Sequence, residues 1–130
     1  MHRLLIVDDE PGIRRTLTDL MSMQGYEVDQ AGNGVEGLKK IQSGSYDLVL
    51  SDIQMPKMDG MELLRTAREK VPELPFIMLT AHATIERAVE AIKIGAYDFV
   101  PKPPNLQHFL VTVRNALATK ELKQEHTRMK

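Results

Sequence analysis

The stretch RLLIVDDEPGIRRTLTDLM, residues 3–21, determines how the rest of the sequence is interpreted. It opens with an apolar run of strand length, followed by two aspartates, a glutamate and a proline. Pro11 suits the first position of a helix because proline needs no partner for a backbone N–H there. After it, apolar residues recur at helical spacing: Ile13, Leu17, Leu20 and Met21. The stretch therefore predicts a buried strand, a polar turn and an amphipathic helix.

The same alternation repeats along the chain, which is typical of an α/β protein whose parallel sheet is covered on both faces. The predicted strands are Arg3–Val7, Glu27–Gln30, Asp47–Ser51, Phe76–Leu79 and Tyr97–Val100. The predicted helices are Pro11–Gln24, Asn33–Ser43, Asp59–Lys70, a fourth with Ile85, Ala88, Val89 and Ile92 before Gly95, and a fifth that begins near Asn105 with Leu106, Leu110, Val113 and Leu117 on one stripe. The second and third helices contain or adjoin glycines, so they are assigned from their place in the alternation.

The length of 130 residues suits one domain, which can bury roughly two-thirds of the surface exposed by its unfolded chain. We expect this domain to occupy residues 1–118. Residues 119–130 are charged and lack apolar partners, which indicates a helical extension or the start of a linker to an output domain that is absent here.

The composition excludes several classes of protein. Apolar residues make up 42% and charged residues 27%, with no apolar run of membrane length, so a soluble globular domain is expected. There is no cysteine and the chain does not start like a signal peptide, so we expect no disulfides and a cytoplasmic location. The formal charge of -1 and the lack of a dense Lys or Arg cluster argue against direct nucleic-acid binding.

Polar side chains follow four of the predicted strands. Asp8 and Asp9 follow the first strand, Asp52 the third, Thr80 the fourth and Lys102 the fifth. Open parallel sheets bind ligands beyond the carboxyl ends of their strands. The sequence therefore predicts that these side chains meet at one edge.

Each of these residues also has an ordinary structural explanation. Asp9 and Thr80 could cap helices, Asp52 could form a turn, and Lys102 could be a solvated loop lysine. Together, however, three crowded carboxylates repel one another unless a cation neutralises them. Because the ligands are oxygens, the cation expected is Mg²⁺, which leaves coordination positions open for phosphoryl oxygens. The group as a whole could form an aspartyl phosphate on Asp52.

Four motifs occur in a characteristic order: LLIVDDEP at 4–11, DLVLSDIQMPKMDG at 47–60, IMLTAHA at 77–83 and GAYDFVPKP at 95–103. Over about Arg3 to Leu117 the sequence resembles the response-regulator receiver family of bacterial two-component systems. The resemblance implies a doubly wound, flavodoxin-like receiver fold with a five-stranded parallel sheet in the order 2-1-3-4-5 and five helices.

The resemblance also implies how the metal is held. Asp9 would be a direct Mg²⁺ ligand, Asp8 a supporting one that often acts through water, and Asp52 a ligand as well as the phospho-acceptor. The backbone carbonyl of Gln54 would complete the protein ligands.

Thr80 and Lys102 would contact the phosphoryl oxygens. The phosphoryl donor would be a histidine kinase, and the receiver would itself catalyse the transfer and a slow dephosphorylation without being an enzyme in its own right. Thr80 and Phe99 would act as the switch. The changed surface would comprise the fourth helix, fifth strand and fifth helix, around 85–117, where a homodimer could form.

A narrower resemblance lies in TAHATIERAVEAIKIGAYDFVPKP, residues 80–103. It is similar to the receivers of nitrogen-regulation-type transcription activators that work on sigma-54 polymerase. This implies a transcriptional output domain as the partner of the receiver. The Lys102–Pro103 bond also resembles a cis peptide of the family, although Pro104 replaces the aromatic residue usual after it.

Three other functions are alternatives to a phosphorylated receiver. A phosphatase of the haloacid-dehalogenase type would need an aspartate as general acid where Gln54 stands. A stand-alone signalling module would have no attached output domain, and a degenerate receiver would lack part of the set of Asp8, Asp9, Asp52, Thr80 and Lys102. His82 could be a base or a metal ligand, but a solvated loop histidine is the simpler interpretation.

Overall fold

The computed structural model describes residues 2–80, 85–102 and 105–128, with Ile85 and residues 120–128 described by their backbone alone. Five strands form one parallel sheet: β1 (Arg3–Val7), β2 (Glu27–Ala31), β3 (Leu48–Asp52), β4 (Phe76–Thr80) and β5 (Asp98–Pro101). Their order is β2-β1-β3-β4-β5, which confirms the predicted fold. The register pairs Val7 with Ser51 and Asp52 with Leu79, so the carboxyl ends of the central strands lie together.

Five helices connect or follow the strands, again as predicted. They are α1 (Pro11–Met23), α2 (Gly34–Ser43), α3 (Gly60–Lys70), α4 (Ile85–Ile94) and α5 (Leu106–Arg128). Most boundaries lie within one residue of those expected from the sequence. Asn33 and Asp59 are the N-caps of α2 and α3, and each side chain accepts a hydrogen bond from the backbone N–H three residues on.

Alternate residues of each strand face opposite sides of the sheet, and two separate apolar clusters result. Leu5, Val7, Val49 and Phe76 lie in one cluster with residues of α2, α3 and α4. The other cluster contains residues of the same strands packed against α1 and α5: Leu4, Ile6, Leu48, Leu50 and Ile77. All of these strand side chains are fully buried, so the central strands are fixed from both faces.

Two glycines, one inside α2 and one directly after α4, have structural reasons. A Cβ on Gly37 would lie only 3.1 Å from a methyl group of Val7, so glycine lets α2 approach β1 closely. Gly95 ends α4 with a φ of +125°, a region that favours glycine. A side chain there would also meet Arg68.

The apolar stripes predicted for α4 and α5 were partly wrong about which residues are buried. On α4, Ala91 is fully buried, whereas Val89 and Ile92 are 46% and 48% exposed. On α5, Phe109 was not predicted and is fully buried, while Leu106 is 51% exposed. These helices carry apolar residues on more than one face, and spacing alone does not show which face packs on the sheet.

The last helix continues without a break from Leu106 to Arg128. Its backbone therefore extends well past Leu117, the last residue of α5 that packs in the core among side chains the structure describes. No helix in residues 2–80, 85–102 and 105–128 is both long and apolar enough to cross a bilayer.

Candidate functional site

The predicted site residues lie at the carboxyl edge of the sheet. Asp52 and Thr80 are the last residues of β3 and β4, while Asp8 and Lys102 follow β1 and β5 directly. Asp8, Asp52 and Thr80 are buried, at 0%, 6% and 3% exposure. The backbone N–H of Lys102 donates to the Thr80 carbonyl over 2.8 Å, which ties the start of the β5–α5 loop to the end of β4.

Lys102 joins the two buried aspartates. Its Nζ lies 2.6 Å from Asp8 Oδ2 and 3.2 Å from Asp52 Oδ2. All three side chains are at most 8% exposed. The ammonium group therefore lies between two carboxylates that would otherwise repel each other.

Burial and the neighbouring charges shift the pKa values of both Asp52 and Lys102. Burial raises the pKa of Asp52, and the Asp8 charge raises it further, against the opposing effect of Lys102. Burial alone would lower the pKa of Lys102, but the hydrogen bond to Asp8 and the charges of Asp52 and Asp8 outweigh it, so this pKa is raised. Lys102 therefore stays protonated, while ionised Asp52 is only partly compensated.

Four acidic residues could together hold a metal ion: Asp8, Asp9, Glu10 and Asp52. Each offers a carboxylate oxygen, and these oxygens all lie within 4.8 Å of one another. Asp9 and Glu10 are exposed, so the cluster opens to solvent on one side. An all-oxygen donor set with an excess of negative charge over the one ammonium of Lys102 fits a hard divalent cation such as Mg²⁺.

The structure shows which residue is the N-cap of α1, and it adds Glu10 to the residues of the site. Glu10, not Asp9, is the N-cap of α1, and no side chain caps that helix. Asp8 instead accepts a hydrogen bond from the Glu10 N–H over 2.9 Å. Glu10 was not predicted as a site residue, although it directly follows the two aspartates in the sequence.

The loop between β3 and α3 is held against the end of β3. The Gly60 N–H donates to the Ile53 carbonyl over 2.7 Å, and a Cβ on Gly60 would lie 2.0 Å from the Asp52 carbonyl oxygen. Lys57 has a φ of 71°, which is uncommon for a residue with a side chain. The loop is therefore a tight turn directly after Asp52.

Of the remaining predicted residues, Phe99 is partly buried and packs against the cluster that contains Val49. Gln54 is exposed at the start of the loop. His82 and the Lys102–Pro103 bond lie outside the described residues.

An open cleft of about 400 Å³ adjoins the acidic cluster. Its walls include Asp9, Gln54 and Asp59, and α4 contributes Arg87. The guanidinium of Arg87 also lies 3.9 Å from Glu90, which in turn lies 3.5 Å from Arg65 of α3. Arg87 was missed by sequence reasoning because it lies inside a helix and follows none of the strand ends that indicated the site.

Residues 4–114 match the response regulator receiver domain family. The chain is 41% identical over 125 residues to the regulatory protein AtoC of Escherichia coli K12, covering 96% of this chain and 27% of AtoC. It is 38% identical over 131 residues to the nitrogen assimilation regulatory protein NtrX of Azorhizobium caulinodans, covering 99% of this chain and 29% of NtrX. The chain thus spans less than a third of the length of these two relatives.

Solved structures agree with this relationship. A CheY-like response regulator receiver domain protein from Methanospirillum hungatei matches with a TM-score of 0.90 and 35% identity, over 95% of this chain and 98% of that one. NtrX from Brucella abortus in complex with ADP matches with a TM-score of 0.94 and 35% identity, over 100% of this chain and 30% of that one. The matching residues 4–114 include all of the predicted site residues, and the chain belongs to the response regulator receiver domain family.

Proposed function

We propose that this domain is a phosphorylation-dependent signalling switch that accepts a phosphoryl group on Asp52. The observation that carries the proposal is the position of the Lys102 ammonium group, 3.2 Å from Asp52 and 2.6 Å from Asp8 in a buried setting. A buried carboxylate beside a fixed positive charge and further acidic ligands suits attack on phosphorus, where charge develops on the phosphoryl oxygens.

In the proposed reaction, an oxygen of Asp52 attacks the phosphorus of a phosphohistidine. The new O–P bond forms as the P–N bond breaks, and the imidazole leaves, so the product is an acyl phosphate. Lys102 and the Thr80 hydroxyl stabilise the transferred oxygens. Bound Mg²⁺, held by Asp8, Asp9, Asp52 and the Gln54 carbonyl, would neutralise charge on the same oxygens. The ion pair with Asp8 keeps Lys102 in place during the whole reaction.

The proposed donor is a histidine kinase. Asp52 is only 6% exposed, so the donor has to approach from the open side of the cluster, where Asp9 and Glu10 reach solvent. The domain would supply the catalysis of transfer and of slow hydrolysis, since the groups that stabilise the phosphoryl oxygens all belong to this chain.

We place the output on α4, β5 and α5. Thr80 ends β4 shortly before α4, and Lys102 follows β5, so both proposed contacts of the phosphoryl group adjoin this part of the fold. The partly buried Phe99 lies on β5, three residues before Lys102, and would change its packing when Thr80 moves. Partly exposed apolar residues on α4 and α5 suit contact with a partner: Val89, Ile92, Leu106 and Val111.

Because AtoC and NtrX are regulatory proteins several times longer than this chain, we propose that the switch controls a transcriptional output domain, as in sigma-54-dependent activators. A homodimer formed through the α4, β5 and α5 surface would carry the signal to it. The near balance of charge, -1 overall, supports a role in protein contacts and not in direct binding of nucleic acid by this domain.

The test is phosphorylation by acetyl phosphate with Mg²⁺, followed by mass spectrometry. The wild-type domain should gain the mass of one phosphate, and Asp52→Asn should gain none. Asp59→Asn is a matched control, because Asp59 is a nearby loop aspartate that caps α3. Full modification of Asp52→Asn would show that the acceptor has been misassigned.

A further inference from the structure

Hydrogen bonds hold both the side chain and the backbone of Asp8. Its carboxylate accepts from the Lys102 ammonium group and from the Glu10 N–H. Its own N–H donates to the Ala31 carbonyl over 3.1 Å. Its carbonyl oxygen accepts from Nη1 of Arg14 over 2.7 Å. The proposed reaction has no role for Arg14, so this last contact calls for a separate explanation.

Arg14 lies in the first turn of α1, and its guanidinium is held at a second point. Nε donates to the side-chain oxygen of Gln30 over 3.2 Å, near the end of β2. Nη1 also lies against the turn that follows β2, since a Cβ on Gly32 would be 3.4 Å from it. The donors of a guanidinium are coplanar and fixed relative to one another, so two acceptors define its position. Arg14 therefore connects α1 and β2 to the residue that follows β1.

The carbonyl of Asp8 belongs to the peptide group that leads into Asp9. A peptide group is planar, so holding its oxygen also fixes the direction in which the chain enters Asp9. Asp9 is exposed, yet it offers a carboxylate oxygen within 4.8 Å of those of the other residues in the acidic cluster. We infer that Arg14 is a positioning residue, which holds the Asp8–Asp9 peptide so that the Asp9 carboxylate stays with the cluster. This inference rests on the proposed function, because it concerns the Mg²⁺ proposed to bind there.

Two simpler roles of Arg14 make different predictions. If Arg14 acted only through its positive charge, its removal would strengthen Mg²⁺ binding, because a cation near the site repels the metal. If it served only the stability of the fold, its removal would lower the free energy of unfolding and leave the Mg²⁺ affinity of the folded domain unchanged. A positioning role predicts weaker binding of Mg²⁺ by the folded domain.

The experiment measures the dissociation constant of Mg²⁺ for the wild type and for Arg14→Gln from backbone amide shifts. The ionic strength would be about 0.15 M, which screens distant charges. Urea unfolding would show that the variant is folded under the conditions of the titration. We expect Arg14→Gln to bind Mg²⁺ on the order of tenfold more weakly, as is usual when a group that orients a metal ligand is removed.

A second measurement needs no metal. The NMR order parameter of the Asp9 amide reports its fast motion, and it should be lower in metal-free Arg14→Gln than in the wild type, because the preceding peptide has lost its contact. Arg15→Gln is the matched control for both measurements. Arg15 is the exposed neighbour of Arg14 on the same helix and carries the same charge. Its replacement should neither weaken Mg²⁺ binding nor lower the order parameter.

The results distinguish this inference from the proposed function. If the wild type binds Mg²⁺ and Arg14→Gln binds it as tightly or more tightly, the inference is wrong and the proposed function stands. Equal weakening in Arg14→Gln and Arg15→Gln, or a wild-type order parameter for Asp9 in Arg14→Gln, also overturns the inference. If the wild type does not bind Mg²⁺, the proposed metal site and this inference both fail.

A further variant covers the case in which Arg14→Gln does not fold. Gln30 is exposed, so Gln30→Ala should fold, and it removes the second acceptor of Arg14 without a change of charge. We then expect weaker Mg²⁺ binding and a lower order parameter for Asp9 in Gln30→Ala. Wild-type values of both quantities in this variant would contradict the inference.

Discussion

Lys102 and Asp8 are 94 positions apart in the chain, yet Lys102 Nζ lies 2.6 Å from Asp8 Oδ2. The contact joins the ends of β1 and β5, with β3 and β4 between them in the sheet. Asp8 is fully buried, so its carboxylate depends on this ammonium group for compensation. The stability of the sheet edge and the chemistry proposed for it therefore depend on the same ion pair.

Replacing Lys102 with methionine should destabilise the domain by about 3 kcal/mol, because it leaves Asp8 and Asp52 as buried carboxylates without their shared cation. Urea unfolding at neutral pH would measure the change. Adding Asp52→Asn to Lys102→Met should recover part of the loss, since one of the two charges is then removed. A wild-type stability in Lys102→Met would show that the pair contributes nothing.

Asp52→Asn alone should stabilise the metal-free domain at neutral pH, by about 1 kcal/mol. Burial raises the pKa of Asp52 in the folded state, so the fold favours its protonated form. The stability linked to Asp52 is therefore greatest below the unfolded pKa and is lost as the pH rises through the folded pKa. Unfolding free energies of the two proteins should converge in acid, and a less stable Asp52→Asn at neutral pH would contradict the prediction.

Mg²⁺ should bind with modest affinity, and Asp9→Asn should weaken binding more than Asp8→Asn. Asp8 already accepts hydrogen bonds from Lys102 and the Glu10 N–H, whereas Asp9 is exposed on the open side of the cluster. Backbone amide shifts during a Mg²⁺ titration would give both affinities. Residues around Asp9 and Asp52 that do not respond would show that the metal site has been misplaced.

The β3–α3 loop should depend on Gly60. Gly60→Ala puts a Cβ about 2.0 Å from the Asp52 carbonyl oxygen, and a backbone atom cannot move away easily. We expect a loss of about 2 kcal/mol in unfolding free energy and weaker Mg²⁺ binding. Gly12→Ala is the control, because no atom lies within 4 Å of a Cβ there. That change should be neutral or slightly stabilising, as alanine favours helix over glycine.

Phosphorylation should change self-association through α4, β5 and α5. Sedimentation with and without beryllofluoride, which stands in for the phosphoryl group, would be measured at several concentrations. Ile92→Ser should reduce any change, because Ile92 is a half-exposed apolar residue of α4. Met23→Ser is the control, since Met23 is 81% exposed on α1. An association state that beryllofluoride leaves unchanged would contradict this assignment.

The sequence predicted the strands and helices well because the central strands are mostly apolar and almost completely buried: Arg3–Val7, Leu48–Asp52 and Phe76–Thr80. Such runs leave little choice of structure. The edge residues could be predicted because each lies at or just after the carboxyl end of a predicted strand. In the structure β3 and β4 each extend one residue further than predicted, so Asp52 and Thr80 are the last residues of their strands. Periodicity does not define the end of a strand to one residue.

Tertiary contacts decided what the sequence did not show. Val89 and Ile92 have the spacing of a core stripe, but Ala91 is the residue of this helix that is fully buried in the core. The role of Glu10 in the acidic cluster and the position of Arg87 at the cleft depend on how α1 and α4 are placed against the sheet edge. No local pattern of residues encodes such placements.

The length of α5 has a mechanical consequence. Its 23 residues make a rod about 34 Å long, of which the part beyond Leu117 accounts for roughly 16 Å. A tilt of about ten degrees at Leu117 displaces the far end of the rod by roughly 3 Å, as the rise per residue dictates. The helix is thus a lever arm, and a small adjustment at the sheet becomes a displacement as large as an atomic diameter at Arg128.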